Sequence, residues 1–428
     1  LTFEKFVNIV PNVHSVHKKM EMINQKSKIK NLYVYIFLLI STFLSAFVLG
    51  MMQFFMLEHL VAQRGEEARA WLIQFISAVI TIGPVFVYIV SGPLSAAVKK
   101  RWVMSGSLLC AAGIILFGGM TNWFFTPWFY LATVGLLLGI FSAAKMASVP
   151  LASVTINRST TFVNAGMTIA FLLGILMGLP CGTFAYNNFP EQGWIVGLTI
   201  LFLSGIAGSF CKFTVENKSS FISEEKKLVK QTGYLFKTYW LYLASSPVLW
   251  GVAGATNMAV TALVVKKGTA TPQQAAFISL WAAIGIVGGN ALSPMMNKIR
   301  FKCSAAGAFL MILCVALFPV ATTSYMLTIA LVIVLGVFFG IAANLIESAY
   351  YHEIGKEGKE SSGAALSSAC VAFFTVATSL TVALALQKEL VSPHTQFVII
   401  IFVICLPMIF SLILNKITTK DILFSRKG

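Results

Sequence analysis

Runs of about 20 apolar residues, separated by short polar turns, recur along this sequence and constrain its fold more than any other feature. Roughly 20 helical residues cross a hydrocarbon core about 30 Å thick. Twelve runs of this kind are read at 32–56, 71–97, 103–120, 128–149, 162–185, 193–211, 243–265, 275–296, 303–321, 327–350, 363–386 and 397–415. Only helices and closed barrels satisfy their backbone polar groups in lipid. Barrel strands would alternate over about 10 residues, and no such alternation is seen in this sequence. Of the 428 residues, 57% are hydrophobic and 11% charged, against about 25% charged in soluble domains. The expected class is an all-α polytopic membrane protein with twelve transmembrane helices.

The basic residues set the orientation. With both termini cytoplasmic, 26 of the 31 Lys and Arg fall on the cytoplasmic side, and only Arg64, Arg69, Lys266, Lys267 and Lys388 fall outside. The positive-inside rule selects that topology. It also accounts for most of the +16 net charge, so no nucleic-acid partner is expected. Residues 1–31 form a basic cytoplasmic tail, with Met20 and Met22 as alternative starts. An N-terminal six-helix bundle follows at 32–211 and a cytoplasmic linker at 212–242. The linker carries "EEKKLVK" and then aromatic-rich "YLFKTYWLY", the pattern of an amphipathic segment at a membrane surface. A C-terminal six-helix bundle at 243–415 and a cytoplasmic tail at 416–428 complete the chain.

The two halves echo each other. "GLLLGIFSAAKMASVP" begins at Gly135, and "GVFFGIAANLIESAY" begins 201 residues later at Gly336. Gly135 and Gly139 match Gly336 and Gly340. After the second and eighth runs, Leu94-Ser95 match Leu292-Ser293 at an offset of 198. A duplicated six-helix unit implies two pseudo-symmetric bundles, the architecture on which many transporters place a substrate between halves near the midplane.

The segment "SGPLSAAVKKRW" at 91–102 resembles the loop signature of the major facilitator superfamily, with Gly92, Lys99, Lys100 and Arg101 in matching places and Ala96 where the signature has an acid. The resemblance implies the major facilitator fold and a gating role for Lys99, Lys100 and Arg101. In that family the loop helps latch the halves on the cytoplasmic side. A solvated positive-inside loop is the plain alternative.

Charges within apolar runs are costly and call for a wet cavity, a partner or reach to the interface. Lys145 lies about five residues from the end of its run, so it either snorkels to the surface or lines a cavity. Glu347 is too short to snorkel and is the candidate for proton coupling or gating. Its place in the repeat is one residue from that of Lys145, so the two either pair across the seam between halves or face opposite walls. Gln53, Gln74, Asn164, Asn257, Asn290 and Asn344 also lie inside runs, where interhelical hydrogen bonding is the plain reading. Gln53, Asn164, Asn257 and Asn344 join Lys145 as candidate substrate-binding residues. Gly285, Gly288 and Gly289 fit close helix packing. The five His and seven Cys show no metal-ligand spacing and no catalytic set; neither enzyme activity nor cofactor is expected.

Further phrases are similar to the bacterial lysophospholipid transporter family: "FLSAF" at 43–47, "AAVKKRWVMSG" at 96–106, "FSAAK" at 141–145, "VNAGM" at 163–167, "WGVAGATN" at 250–257, "AIGIVGG" at 283–289 and "HEIGKEGKESSGAA" at 352–365. Lys145 and Asn164 match the family. The chain departs at Leu49 and Gly50, where the family has Asp-Asn, at Asn257 for an arginine, and at Thr168 and Phe373 for acids. The resemblance implies a monomeric secondary transporter of the bacterial inner membrane. It would carry an amphipathic, lysophospholipid-like molecule by alternating access, with Lys145 attracting the phosphate and membrane lipid as its surroundings. A proton-coupled exporter or importer of a drug-like or siderophore-like solute, and a non-transporting scaffold or sensor, are the alternatives.

Overall fold

The computed structural model describes residues 10–65, 69–120, 127–213, 221–299, 317 and 320–387. The expected run at 397–415, and that at 303–321 apart from Leu317, Val320 and Ala321, lie outside the described residues. Every regular element among the described residues is helical. In order these are α1 (Val10–Arg64), α2 (Arg69–Thr81), α3 (Gly83–Ala97), α4 (Lys100–Met120), α5 (Pro127–Ile156), α6 (Thr160–Asn188), α7 (Trp194–Ser209), α8 (Phe221–Lys266), α9 (Pro272–Leu292), a 3-10 turn at Ser293–Ile299, α10 (Tyr325–Lys356) and α11 (Glu360–Gln387). Seven segments among the described residues are long and apolar enough to cross a membrane, Phe75–Ala97 across the α2–α3 break counted as one, and Trp194–Ser209 and Leu280–Met296 are shorter apolar helices. Large apolar side chains such as Phe86, Phe117, Met120, Phe184 and Phe202 point outward. In water that surface would be unstable; in lipid it is the solvated face.

The expected second run is broken. Pro84 has no N–H to offer the carbonyl of Ile80, and the chain divides into α2 and α3 around Ile82. Gly135 of α5 uses the opening: a Cβ there would stand 2.7 Å from the Ile80 carbonyl oxygen. One half further on, a Cβ on Gly336 would stand 2.4 Å from the carbonyl oxygen of Ala282 in α9. The matched glycines therefore serve matched contacts, span four on span two and span ten on span eight. Gly285 and Gly289 pack against α10 in the same way.

The repeat extends to the helix ends. After α5, Asn157 takes φ 53°, and after α10, Gly358 takes φ 64°. Arg158 N–H returns to Ser153 O at 3.0 Å and Lys359 N–H to Ile354 O at 2.9 Å. These are left-handed caps that satisfy the last carbonyls of each helix, and all three residue pairs keep the 201-residue offset of the glycines.

Within the N-terminal half α1 packs on α6, α4 on α5 and α7, and α3 on α5; in the C-terminal half α9 packs on α10 and α8 on α11. The halves meet along two seams. In one, α11 lies against α2, α3 and α5; in the other, α6 lies against α9 and α10. α1 begins at Val10, inside the segment expected to be a tail. α8 joins linker and seventh span in one helix with a kink at Tyr239 (φ −120°, ψ 19°).

Candidate functional site

A chamber of about 400 Å³ opens between the halves, lined by Gln53 of α1, Ser77 of α2, Lys145 of α5, Phe171 of α6, Trp250 of α8 and Glu347 of α10, among others. Most of the remaining wall is apolar, including Leu49, Leu138, Met146 and Ile175.

Lys145 does not snorkel. The apolar run ends at residue 149, yet α5 continues through Pro150 to Ile156. Membrane helices tolerate proline, and the extra turns put Lys145 eleven residues, about 16 Å, from the helix end. Only 4% of the residue is exposed. Its Nζ lies 4.6 Å from the Phe171 ring centroid and 5.9 Å from that of Phe141. Aromatic faces attract a desolvated ammonium, so the cation is held within the chamber by rings of its own half.

Glu347 lines the same chamber from the C-terminal half. Its Oε1 accepts from Ser246 Oγ at 2.7 Å and Trp250 Nε1 at 3.0 Å, and its Oε2 accepts from Asn164 Nδ2 at 3.3 Å. All three donors are neutral. Lys145 and Glu347 line one chamber, and each has its close partners elsewhere: they share the space without the direct ion pair that one expectation held.

Asn164 and Asn344 do not line the chamber; they lie immediately behind Glu347. Asn164 Nδ2 also donates to Asn344 Oδ1 at 2.7 Å, and Asn344 Nδ2 reaches Ser293 Oγ and the Thr161 carbonyl. This buried network joins α6 to α10 across the seam. Gln53 lines the chamber and donates to Ser77. The side chains of Asn257 and Gln74 lie outside those described. Asn290 Nδ2 donates to its own helix at Ile286 O, 2.9 Å away. Among the family departures, Leu49 and Thr168 line the chamber, Gly50 packs against Ile175, and Phe373 faces outward.

The three basic loop residues separate in role. Lys100, 1% exposed, reaches Glu360 at the start of α11, with Nζ to Oε1 3.7 Å apart. This ion pair crosses the seam at the end of the bundle rich in basic residues. Ala96 stands where the signature has an acid, and the acid that meets Lys100 comes from the opposite half. The Lys99 carbonyl accepts from Trp102 N–H, and the Arg101 guanidinium lies 4.8 Å over the Trp102 ring. Tyr88 of α3 bonds Thr232 of the linker, while Tyr234 and Tyr239 donate to Glu357.

Sequence reasoning missed Ser246, Trp250 and Phe171. Phe141 was missed too, although it stands one turn before Lys145. Ser246 and Trp250 lie about a hundred residues from Glu347, and no local pattern ties them to it.

Two half-bundles enclosing a chamber of this kind define a transporter fold. The chain matches the Major Facilitator Superfamily over residues 37–372 and belongs to that superfamily. No curated protein sequence matches it. Among solved structures, the human organic anion transporter MFSD10 (TETRAN) aligns with TM-score 0.68 and 13% identity, over 90% of this chain and 99% of that one. The E. coli fucose:proton symporter FucP aligns at 0.69 and 13%, over 89% and 98%. A bacterial homologue of the iron transporter ferroportin, in its outward-facing state, aligns at 0.65 and 13%, over 90% and 99%. At this identity the likeness is one of fold.

Proposed function

We propose that the protein is a secondary active transporter that moves an amphipathic, lysophospholipid-like molecule across a bacterial inner membrane by alternating access. The observation that carries this reading is the buried cation of Lys145 in an otherwise largely apolar chamber at the seam. An acyl chain suits the apolar wall, and a phosphate suits the ammonium. The resemblance at Lys145 and Asn164 supports the same substrate class. The basic bias of 26 of 31 Lys and Arg supports cytoplasmic termini, and a chamber completed within one chain fits a monomer. Uptake of a labelled lysophospholipid into proteoliposomes tests the proposal. Flux that Lys145→Gln lowers about tenfold or more is the expected result; no lysophospholipid flux refutes it.

Glu347 favours a second reading, a proton-coupled carrier of a drug-like or siderophore-like solute, because it is a chamber carboxylate held by neutral donors alone. Full pH-gradient-driven uptake by Glu347→Gln would rule that reading out. A scaffold or sensor would show no substrate flux of any kind.

A further inference from the structure

The chamber contains two ionisable residues of opposite charge, Lys145 and Glu347, that make no direct ion pair with each other. Lys145 rests against Phe171 and Phe141 of its own half. Glu347 is held by Ser246 and Trp250 of its own half and by Asn164 across the seam. In a water-poor space a carboxylate and an ammonium gain from direct contact. Here each is anchored elsewhere, so the gain is left for a guest. The chamber therefore presents one basic and one acidic side chain with largely apolar surface around them.

A guest with only negative charge satisfies Lys145 and meets Glu347 as a like charge. A guest with only positive charge meets the reverse. We infer that the site selects a zwitterionic amphiphile, whose anionic group sits at Lys145 and whose cationic group sits at Glu347. The inference rests on the transporter reading above and narrows its substrate class. Glu347 has room for this role: a carboxylate offers about four acceptor sites, and three are taken. Trp250 and Tyr351 line the chamber beside it, and aromatic faces attract ammonium groups. Oε1 carries two of the three bonds, so Oε2 is the oxygen left to receive the cation.

Binding to the purified full-length protein tests this. Lysophosphatidylcholine and lysophosphatidylethanolamine, both zwitterions, are compared with lysophosphatidylglycerol, an anion, at equal acyl length. The better zwitterion is expected to bind about tenfold tighter than the anion, because like-charge juxtaposition is penalised. Glu347→Gln should erase that preference. Equal or tighter binding of lysophosphatidylglycerol by the wild-type protein overturns the inference, as does a folded Glu347→Gln protein with the preference intact. The wild-type comparison decides even if the variant does not fold. If no lysophospholipid binds, the lysophospholipid reading fails by itself. The charge rule is then decided by dodecyl betaine against dodecyl sulfonate. Betaine preference supports it; equal binding, sulfonate preference or no binding overturns it.

Discussion

Glu360→Gln isolates the outer contact between the halves. The Lys100 Nζ and Glu360 Oε1 atoms are 3.7 Å apart, with the lysine side chain 1% and the glutamate 15% exposed. At an effective dielectric of 20, Coulomb's law gives about 4.5 kcal/mol of attraction at that distance. Part of this repays desolvation of the lysine, a cost that stays in the closed state after the acid is neutralised. When the halves part, Lys100 regains water. The closed state should thus lose about 2 to 3 kcal/mol relative to the open one. At 1.4 kcal/mol per tenfold, that is a population shift of roughly 30- to 150-fold. Spin labels at Val98 and Lys356, exposed positions on the two halves near this end, would report it as a second, longer distance. Exchanging the charges (Lys100→Glu with Glu360→Lys) should restore most of the short distance. A Glu360→Gln protein with the wild-type distance distribution would refute the assignment.

Gly135→Val and Gly336→Val should each destabilise the protein by about 3 kcal/mol, the upper end of overpacking costs, since each new Cβ meets a backbone carbonyl that cannot move aside; thermal melting should show both losses, with Gly113→Ala, where nothing lies within 4 Å, as a near-neutral control. Glu357 lies beyond the end of α10, and although burial acts to raise its pKa, Lys359, Tyr239 and Tyr234 hold it below the usual carboxylate value. A depressed carboxyl pKa stabilises fully above the unfolded value near 4.3 and loses that contribution as pH falls through the folded value. Hydrogen exchange in residues 230–238 should therefore stay slow from pH 7 to 5 and quicken below about 4.3, and Glu357→Gln should remove the step.

The spans and the duplication were legible in the sequence because lipid imposes a length and a polarity on every helix. Gly135/Gly336 carried the repeat, because close approach of two backbones leaves no room for another residue. The depth of Lys145 was only partly legible: the apolar run ends at residue 149, whereas the helix continues through Pro150 to Ile156. The surroundings of Glu347 were not legible: its donors come from α6 and α8, and sequence distance does not encode which helices a fold brings together. The Lys100–Glu360 contact was half legible. Lys100 stood in a recognisable loop, but Glu360 belongs to a different connection and only tertiary packing selects it.

Two of the cross-seam contacts differ in what can break them. Lys100–Glu360 lies at the basic end of the bundle, beyond the chamber. The Asn164 bond to Glu347 lies at the chamber wall, and its strength depends on the carboxylate's charge. Hydrogen bonds to charged groups contribute about 1.5–3 kcal/mol and neutral ones about 0.5–1.5, so neutralising Glu347, by a guest's cation or a proton, should weaken this inner contact by about 1 kcal/mol. That shift is about fivefold, too small to open the seam against an intact outer pair. It is large enough to bias the equilibrium once the outer pair is strained or removed. Occupancy of the chamber and closure of the seam are thus linked through one side chain, Asn164, which contacts the chamber's carboxylate and the opposite half at once.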